Sequence, residues 1–313
     1  MPEKTLIPVR ISYSALGAGH SPVWVAHDAG IFAAEGLDVD MPMIRGRSPE
    51  AVMAKEVQFA HIAAPGVVAE NLKGGDLVFL AGGINWLIQR IITRPDIEEP
   101  EQLRGRTLGT GHAGSIDSFL IPYLLKRHGL EVGVDVKTKT VDSQPEAIKQ
   151  MVAGEIDGAL FSFPYAFEAT KAGLRILLDV GEYRIDYQLD GMIARREFVE
   201  GNPDLTRRVA RSYVRAVHRY KTDPDFVVSL LRKYSLIDDE AIARLTHAAL
   251  DRYMPEKSYP TVPGMQRVVE EAAKRDPNAA RLRAEDLLDS RWIAELDRSG
   301  FIDDLYARGR SGA

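Results

Sequence analysis

Hydrophobic positions along the chain change period in a regular way, from alternation to helical spacing and back, and this rhythm predicts an α/β protein. Ile11, Tyr13 and Ala15 alternate with Ser12 and Ser14 as a strand does, and Gly17 and Gly19 then open a loop. Val25, Ala26, Ala29, Phe32 and Ala33 follow at helical spacing, after which Leu37, Val39 and Met41 alternate again. Ser21 is expected to cap the helix, with Pro22 at its first position and Gly36 just past its end. Residues 11–40 thus read as strand, glycine loop, helix, strand. Such a unit pairs two parallel strands and points the positive helix N-terminus at the loop.

The unit recurs. Gly17-Ala18-Gly19-His20 returns as Gly109-Thr110-Gly111-His112, and Gly36-Leu37-Asp38-Val39 returns as Gly129-Leu130-Glu131-Val132. Ser48-Pro49-Glu50-Ala51-Val52 matches Gln144-Pro145-Glu146-Ala147-Ile148, and residues 57–63 followed by Pro65 match 156–162 followed by Pro164. Their collinear order favours duplication or quasi-symmetry over coincidence. Further strands are expected at 77–81, after which Gly82 and Gly83 close the first lobe, then at 107–110, 136–141, 158–162 and 175–180, with a return strand at 189–194. Ser48 and Ser143 read as helix caps, residues 86–93 as an extended crossing, and Pro122 predicts a kink or a late helix start. Residues 205–221, 226–234, 240–253 and 287–296 are amphipathic helices, punctuated by Pro224, Pro255, Pro260 and Pro263. The expected lobes are 1–93 with 186–313, which carries the C-terminal helices, and 94–185.

Composition narrows the classes. At 313 residues, with 45% hydrophobic and 27% charged, the chain can build two cores and is globular rather than disordered. A net charge of −5 with dispersed Lys and Arg gives no footprint for nucleic acid or an anionic membrane. The absence of cysteine excludes disulfides, thiolate metal sites and a cysteine nucleophile. The N-terminus has no apolar h-region and no later stretch is long enough to span a bilayer, so no direct membrane insertion is expected. The chain as it stands reads as cytoplasmic, and as periplasmic if an export signal has been removed.

In open α/β sheets ligands bind beyond the carboxyl ends of the strands. Two lobes give two such edges, which would face each other across an interlobe cleft. The residues expected there are Tyr13, Gly19, His20, Ser21, His61, Pro65, Trp86 and Asp190 from the first lobe, and His112, Gly114, Ser115, Phe163 and Tyr165 from the second. Glycines and the helix starts at Ser21 and Ser115 suit an anionic group, although a serine there is more often only a cap. Trp86, Phe163 and Tyr165 suit an apolar or aromatic body, and Asp190 a cation or a turn. His20, His61 and His112 fall near strand ends, where imidazoles bond a ligand or serve as acid and base. No HExxH spacing, Walker lysine or G-x-S-x-G elbow is present, and the G-x-G pairs lack the third glycine of a dinucleotide site. No metal or other cofactor is expected.

The run Ser21-Pro22-x-Trp24-Val25-Ala26-x-x-Ala29-Gly30-Ile31-Phe32-x-x-Glu35-Gly36-Leu37-Asp38-Val39 resembles the opening of solute-binding proteins of the nitrate, sulfonate and taurine transporter type, a family that includes the enzymes making the thiamine pyrimidine. The resemblance continues through Leu103-x-Gly105-Arg106-x-Leu108-Gly109, Ala153-Gly154-Glu155-Ile156-Asp157 and Phe198-x-x-x-Asn202-Pro203-Asp204-Leu205. It implies a two-lobed type II periplasmic binding protein-like fold that closes by hinge motion over a small molecule, with an ABC permease as partner, and the repeated glycine loops make a small organic anion the expected ligand. The thiamine-pyrimidine enzymes carry a lysine and a histidine after the third strand and a cysteine-rich motif. This chain has Phe59-Ala60-His61-Ile62-Ala63 there and no cysteine. The alternative is a cytosolic enzyme on the same fold that uses His20, His61 or His112.

Overall fold

The computed structural model describes residues 5–112 and 115–310. The chain divides into two units, one running to Trp86 and resuming at Asp186, the other Leu87–Ile185. Its strands, in chain order, are β1 (Ile7–Tyr13), β2 (Leu37–Asp40), β3 (Phe59–Ile62), β4 (Leu77–Trp86), β5 (Arg90–Thr93), β6 (Thr107–Thr110), β7 (Lys137–Thr140), β8 (Gly158–Phe161), β9 (Arg175–Asp179) and β10 (Asp186–Arg195). The first unit orders its strands β2-β1-β3-β10-β4 and the second β7-β6-β8-β5-β9. In the first, β1 is parallel to β2 and β3, and β10 is antiparallel to β3 and β4. In the second, β6 is parallel to β7 and β8, and β5 is antiparallel to β8 and β9. Order and sense therefore match strand for strand, as the collinear repeat predicts. The antiparallel strand enters last in one sheet and first in the other.

The first crossover is two helices rather than one. Ser21–Asp28 stops at Gly30, whose φ of 68° is left-handed, and Ile31–Ala34 starts after it. Val23 to Ala26 are buried, but Ala33, expected on the same apolar face, is exposed because the break rotates it outward. β4 does not close at Gly82 and Gly83; it runs through them to Trp86. The glycines let β10 and its neighbours approach, since a Cβ on Gly83 would overlap the Asp190 carboxyl and one on Gly191 the Ala81 carbonyl. β10 compensates with register shifts on either side of Asp190. The segment expected to cross at 86–93 contains β5, which pairs with β8 and β9, so the second unit begins at Leu87 rather than after Thr93.

The C-terminal helices are Pro203–Thr222, Pro224–Tyr234, Glu240–Asp251, Val262–Ala273, Arg291–Arg298 and Phe301–Arg310. Val262–Ala273 went unforeseen because Pro263 reads as a break. In fact it occupies the first turn, where a missing N–H costs little, and Thr261 caps that turn by accepting from Gly264 N at 3.3 Å. Ser143 caps its helix through Glu146 N, whereas the Ser48 hydroxyl turns back to donate to the Ile44 carbonyl at 2.7 Å. Helix Ile116–Arg127 starts directly after Ser115 and contains Pro122, which excludes a late start. No helix among the described residues is long and apolar enough to cross a membrane.

Candidate functional site

Beyond β1 the chain makes one 3-10 turn, Ala18–His20, and enters helix Ser21–Asp28. The turn bonds two of its N–H groups internally. His20 N donates to the Gly17 carbonyl at 3.1 Å, and both the backbone N–H and the hydroxyl of Ser21 are directed at the Ala18 carbonyl. Ser21 is fully buried and is not a cap. Its expected role as a helix cap is corrected: in the tight turn the hydroxyl donates to a carbonyl instead of accepting from a first-turn N–H.

What the loop presents instead is a row of hydrogen-bonding side chains. Ser14 Oγ lies 3.3 Å from His20 Nε2, His20 Nδ1 lies 2.9 Å from His61 Nδ1, and His61 Nε2 lies 2.9 Å from the Tyr213 hydroxyl. Ser14 is half-buried, and the other three are buried. His61 is placed by the centre of β3, a strand covered on both faces, and Tyr213 by the inner face of helix Pro203–Thr222. Tyr13 and Trp24 flank the His20 ring at 6.0 and 6.3 Å. Asp190, from β10, accepts from Ile84 N at 3.0 Å. Its carboxyl lies against Gly19 and Gly83, and a Cβ on Gly83 would also come within 2.8 Å of the Tyr213 hydroxyl.

Burial decides the charge state of this group. It pushes the His20 imidazole down to about 4. Burial, with a smaller contribution from His20, holds His61 well below its ordinary value. Burial raises Asp190 to about 8 against the opposing bond from Ile84 N. Burial, then the nearby Asp190, keeps Tyr213 well above the usual phenol range. At pH 7 all four are therefore uncharged, because a charge taken from water without a counter-ion costs more than a lost proton or a retained one. Two imidazole nitrogens at 2.9 Å share a single proton, so one ring donates and the other accepts.

The second unit differs at the corresponding loop. A cavity of about 300 Å³ lies at the carboxyl ends of β6 and β8, lined by Gly109, Gly111, Asp117, Asp142, Gln144 and Tyr165 among others. Asp117 Oδ2 accepts from Gly111 N at 3.0 Å, so a protein carboxyl occupies the glycine-loop donor, and burial raises its pKa. Ser115 caps its helix by accepting from Ser118 N at 3.4 Å. His112 is exposed, and Gly114 lies outside the described residues. Phe163 is a core residue, buried with the Arg90 guanidinium 5.0 Å from its ring centre. In the first unit, Pro65 is half-buried at the second position of helix Ala64–Leu72, and Trp86 meets Tyr253 edge-on at 6.3 Å.

The structure thus brings Tyr13, Gly19, His20, His61 and Asp190 together in the first unit, and Tyr165 beside the Gly111 loop in the second. Sequence reading missed Ser14, Tyr213 and Asp117. Tyr213 carries the faintest signal, one hydroxyl beside those of Thr206, Ser212 and Tyr220 on the buried face of a 20-residue helix, which reads as core. Among the described residues no group of three His, Cys, Asp or Glu could hold a metal ion.

The chain matches the family described as NMT1/THI5 like over residues 18–226. It is 27% identical over 212 residues to the taurine-binding periplasmic protein of Escherichia coli K12, an alignment covering 65% of this chain and 64% of that protein, so it spans less than two thirds of this relative's length. Among solved structures it superposes on the periplasmic aliphatic sulphonate binding protein SsuA from Escherichia coli with a TM-score of 0.73 at 16% identity, covering 90% of this chain and 96% of that one. It also superposes on a DSZB mutant in complex with biphenyl-2-sulfinic acid with a TM-score of 0.74 at 16% identity, covering 92% and 99%. Two mixed five-stranded sheets with these neighbours make the fold that of the periplasmic binding proteins.

Proposed function

The chain belongs to the NMT1/THI5-like family, and on that premise we propose that it is a solute-binding protein of ABC-type import that takes a small organic anion, a carboxylate or sulfonate. The observation that carries this reading is the half-buried end of the histidine row. Ser14 and the outer nitrogen of His20 sit side by side at the carboxyl end of β1, where ligands of open α/β sheets bind. Hydrogen bonds from neutral donors to a charged oxygen are worth roughly 1.5–3 kcal/mol each, so no arginine or lysine is required. Asp190, protonated below about pH 8, does not repel an anion. The names of the taurine- and sulphonate-binding proteins to which the chain is similar agree with this ligand class. A periplasmic location and docking to a permease belong to the same proposal.

A thermal-shift screen of carboxylates and sulfonates is expected to find a stabilising ligand, because a ligand at a hundredfold its Kd adds about 2.7 kcal/mol. Stabilisation by cations or neutral sugars alone would refute the anion class. Saturating ligand is further expected to reduce the radius of gyration in solution scattering, and an unchanged radius would refute hinge closure.

A second reading, a cytosolic enzyme, is favoured by one observation, the ring-to-ring bond between His20 and His61. A His→Asn series separates the two. An enzyme loses turnover while its affinity survives, whereas a binding protein loses affinity and has no turnover to lose.

A further inference from the structure

Every bond in the row from Ser14 to Tyr213 has a direction, and the directions are not independent. The contact between His20 Nδ1 and His61 Nδ1 makes one ring the donor. With both rings neutral, that choice sets the remaining nitrogen of each. If the Tyr213 hydroxyl donates to His61 Nε2, His61 Nδ1–H donates to His20 Nδ1, His20 Nε2–H points at Ser14, and the Ser14 hydroxyl is free to donate outward. If His61 Nε2–H donates to the Tyr213 oxygen, every bond reverses. Ser14 then donates inward to His20 Nε2, and its lone pairs face out.

We propose that Tyr213 and Asp190 are specificity-determining residues acting at a distance: through His61 and His20 they set whether the open end at Ser14 offers a donor or an acceptor, and so favour a ligand that brings an acceptor there, as an oxyanion does. This deepens the function proposed above and rests on it. Asp190 and the Tyr213 hydroxyl crowd the same face of Gly83, where a Cβ would meet both. A protonated Asp190 leaves the phenol free to donate to His61, and the donor end is displayed. An ionised Asp190 draws the phenolic proton toward itself, the row reverses, and an oxyanion at Ser14 meets only lone pairs.

Other charges around the row are engaged elsewhere. On helix Glu240–Asp251, which touches the 3-10 turn, Glu240 pairs with Arg244, Asp251 with Lys221, and His247 bonds the Tyr220 carbonyl. On helix Pro203–Thr222, Arg211 and Arg215 pair with Glu35, and on Pro224–Tyr234 both Lys233 and Tyr234 bond Asp28, which also holds His27. On the strands, Arg10 pairs with Asp40 and Arg195 with Asp76, while β4 carries no ionisable residue. Among the described residues, Tyr13 and Tyr213 meet the rings, and Asp190 lies beside Gly19 and Gly83 and acts on Tyr213. Burial places the Asp190 titration near pH 8, within reach of experiment.

The test is long-range proton–nitrogen NMR on ligand-free protein labelled with ¹⁵N-histidine, at pH 6.5 and pH 9.5. At pH 6.5 His20 is expected as the Nε2–H tautomer and His61 as the Nδ1–H tautomer; at pH 9.5 both are expected to be exchanged. Asp190→Asn should hold the pH 6.5 tautomers at both values, and Tyr213→Phe should uncouple His61 from pH. Tautomers that are the same in the wild type at both values, or that still exchange in Asp190→Asn, overturn the proposal. Ethanesulfonate, whose charge is constant over this range, is the binding probe. Its affinity should fall at least tenfold from pH 6.5 to 9.5 in the wild type and stay level in Asp190→Asn. Tautomer exchange with no binding of ethanesulfonate or of carboxylates at either pH overturns the ligand class while leaving the relay in place. Binding of unchanged affinity across the exchange overturns the specificity role alone.

Discussion

At the loop after its central parallel strand, the first unit holds four uncharged hydrogen-bonding groups in a row, whereas the second holds a cavity of about 300 Å³ rimmed by Asp117 and Asp142. The sheets behind these loops are the same in order and sense. The difference comes from a C-terminal helix that only the first unit possesses and from the residues of its antiparallel strand. Tyr213 arrives on a C-terminal helix and Asp190 on β10, while the matching strand of the second unit, β5, is Arg-Ile-Ile-Thr, with Arg90 paired to Asp179. Topology fixes where a site can be, and one or two side chains from distant elements fix what it does.

The sharpest way to break the comparison is to add a Cβ on each side. Gly83→Val forces a side chain into the Asp190 carboxyl and the Tyr213 hydroxyl, within β4, and should cost about 3 kcal/mol in denaturant unfolding. Gly111→Ala meets first the rotatable Ser115 hydroxyl at 2.8 Å and should cost under about 1 kcal/mol. Equal losses would mean that the first unit's row is no more tightly built than the second unit's loop. Next in size, His61→Ala leaves the Tyr213 hydroxyl and His20 Nδ1 unpaired in a buried site. It should lower stability by about 2–3 kcal/mol, while His112→Ala on the exposed loop leaves the melting temperature where it was.

Acid and base should then separate the groups of the row. His20 and His61 have folded pKa values below their unfolded ones, so the unfolded chain binds more protons, and stability present above about pH 6.5 is lost as pH falls toward 4. Asp190 is the reverse. Its folded pKa of about 8 lies above the ordinary 3.8, so its contribution is full below 3.8 and disappears as pH rises through 8. Asp190→Asn should therefore raise the melting temperature at pH 8.5 by a few degrees and change it little at pH 4. Asp117→Asn should show the same sign with the smallest effect, because Asp117 is less deeply placed and keeps its bond from Gly111 N. Melting temperatures of Asp190→Asn and the wild type that run in parallel from pH 4 to pH 8.5 would show that Asp190 is already ionised in the native protein at neutral pH.

Much of the architecture was readable because strand alternation and the repeated glycine loops are local signals. β3, β6, β8 and the return strand β10 fall where the hydrophobic period puts them, while β1, read from Ile11 to Ala15, runs earlier, Ile7–Tyr13, with Ser12 buried. Local signals failed where tertiary contacts overrode them: at Gly82 and Gly83, read as a stop but used as the close approach of β10, and at Pro263, read as a break but used as a first-turn proline. For the site, strand ends pointed to His20, His61 and Asp190 without showing that they adjoin. The bond from His61 to Tyr213 spans 152 positions of chain, and no periodicity reports on that separation. Ser21 was misjudged because a serine before a proline fits both a cap and the last link of a tight turn, and only the neighbouring carbonyl of Ala18 decides between them.

The register shift in β10 beside Asp190 makes the site's chemistry depend on length as well as on identity. Successive strand residues face opposite sides, so losing one residue on the Gly191 side carries Leu189 into the place of Asp190 and swaps an acid for a hydrocarbon in a single event. The same shift brings Asp190 to the Gly191 position, where a Cβ overlaps the Ala81 carbonyl, so β4 must move with it. The acid's place in the candidate site is thus set by the irregularity of the return strand as much as by the identity of the residue.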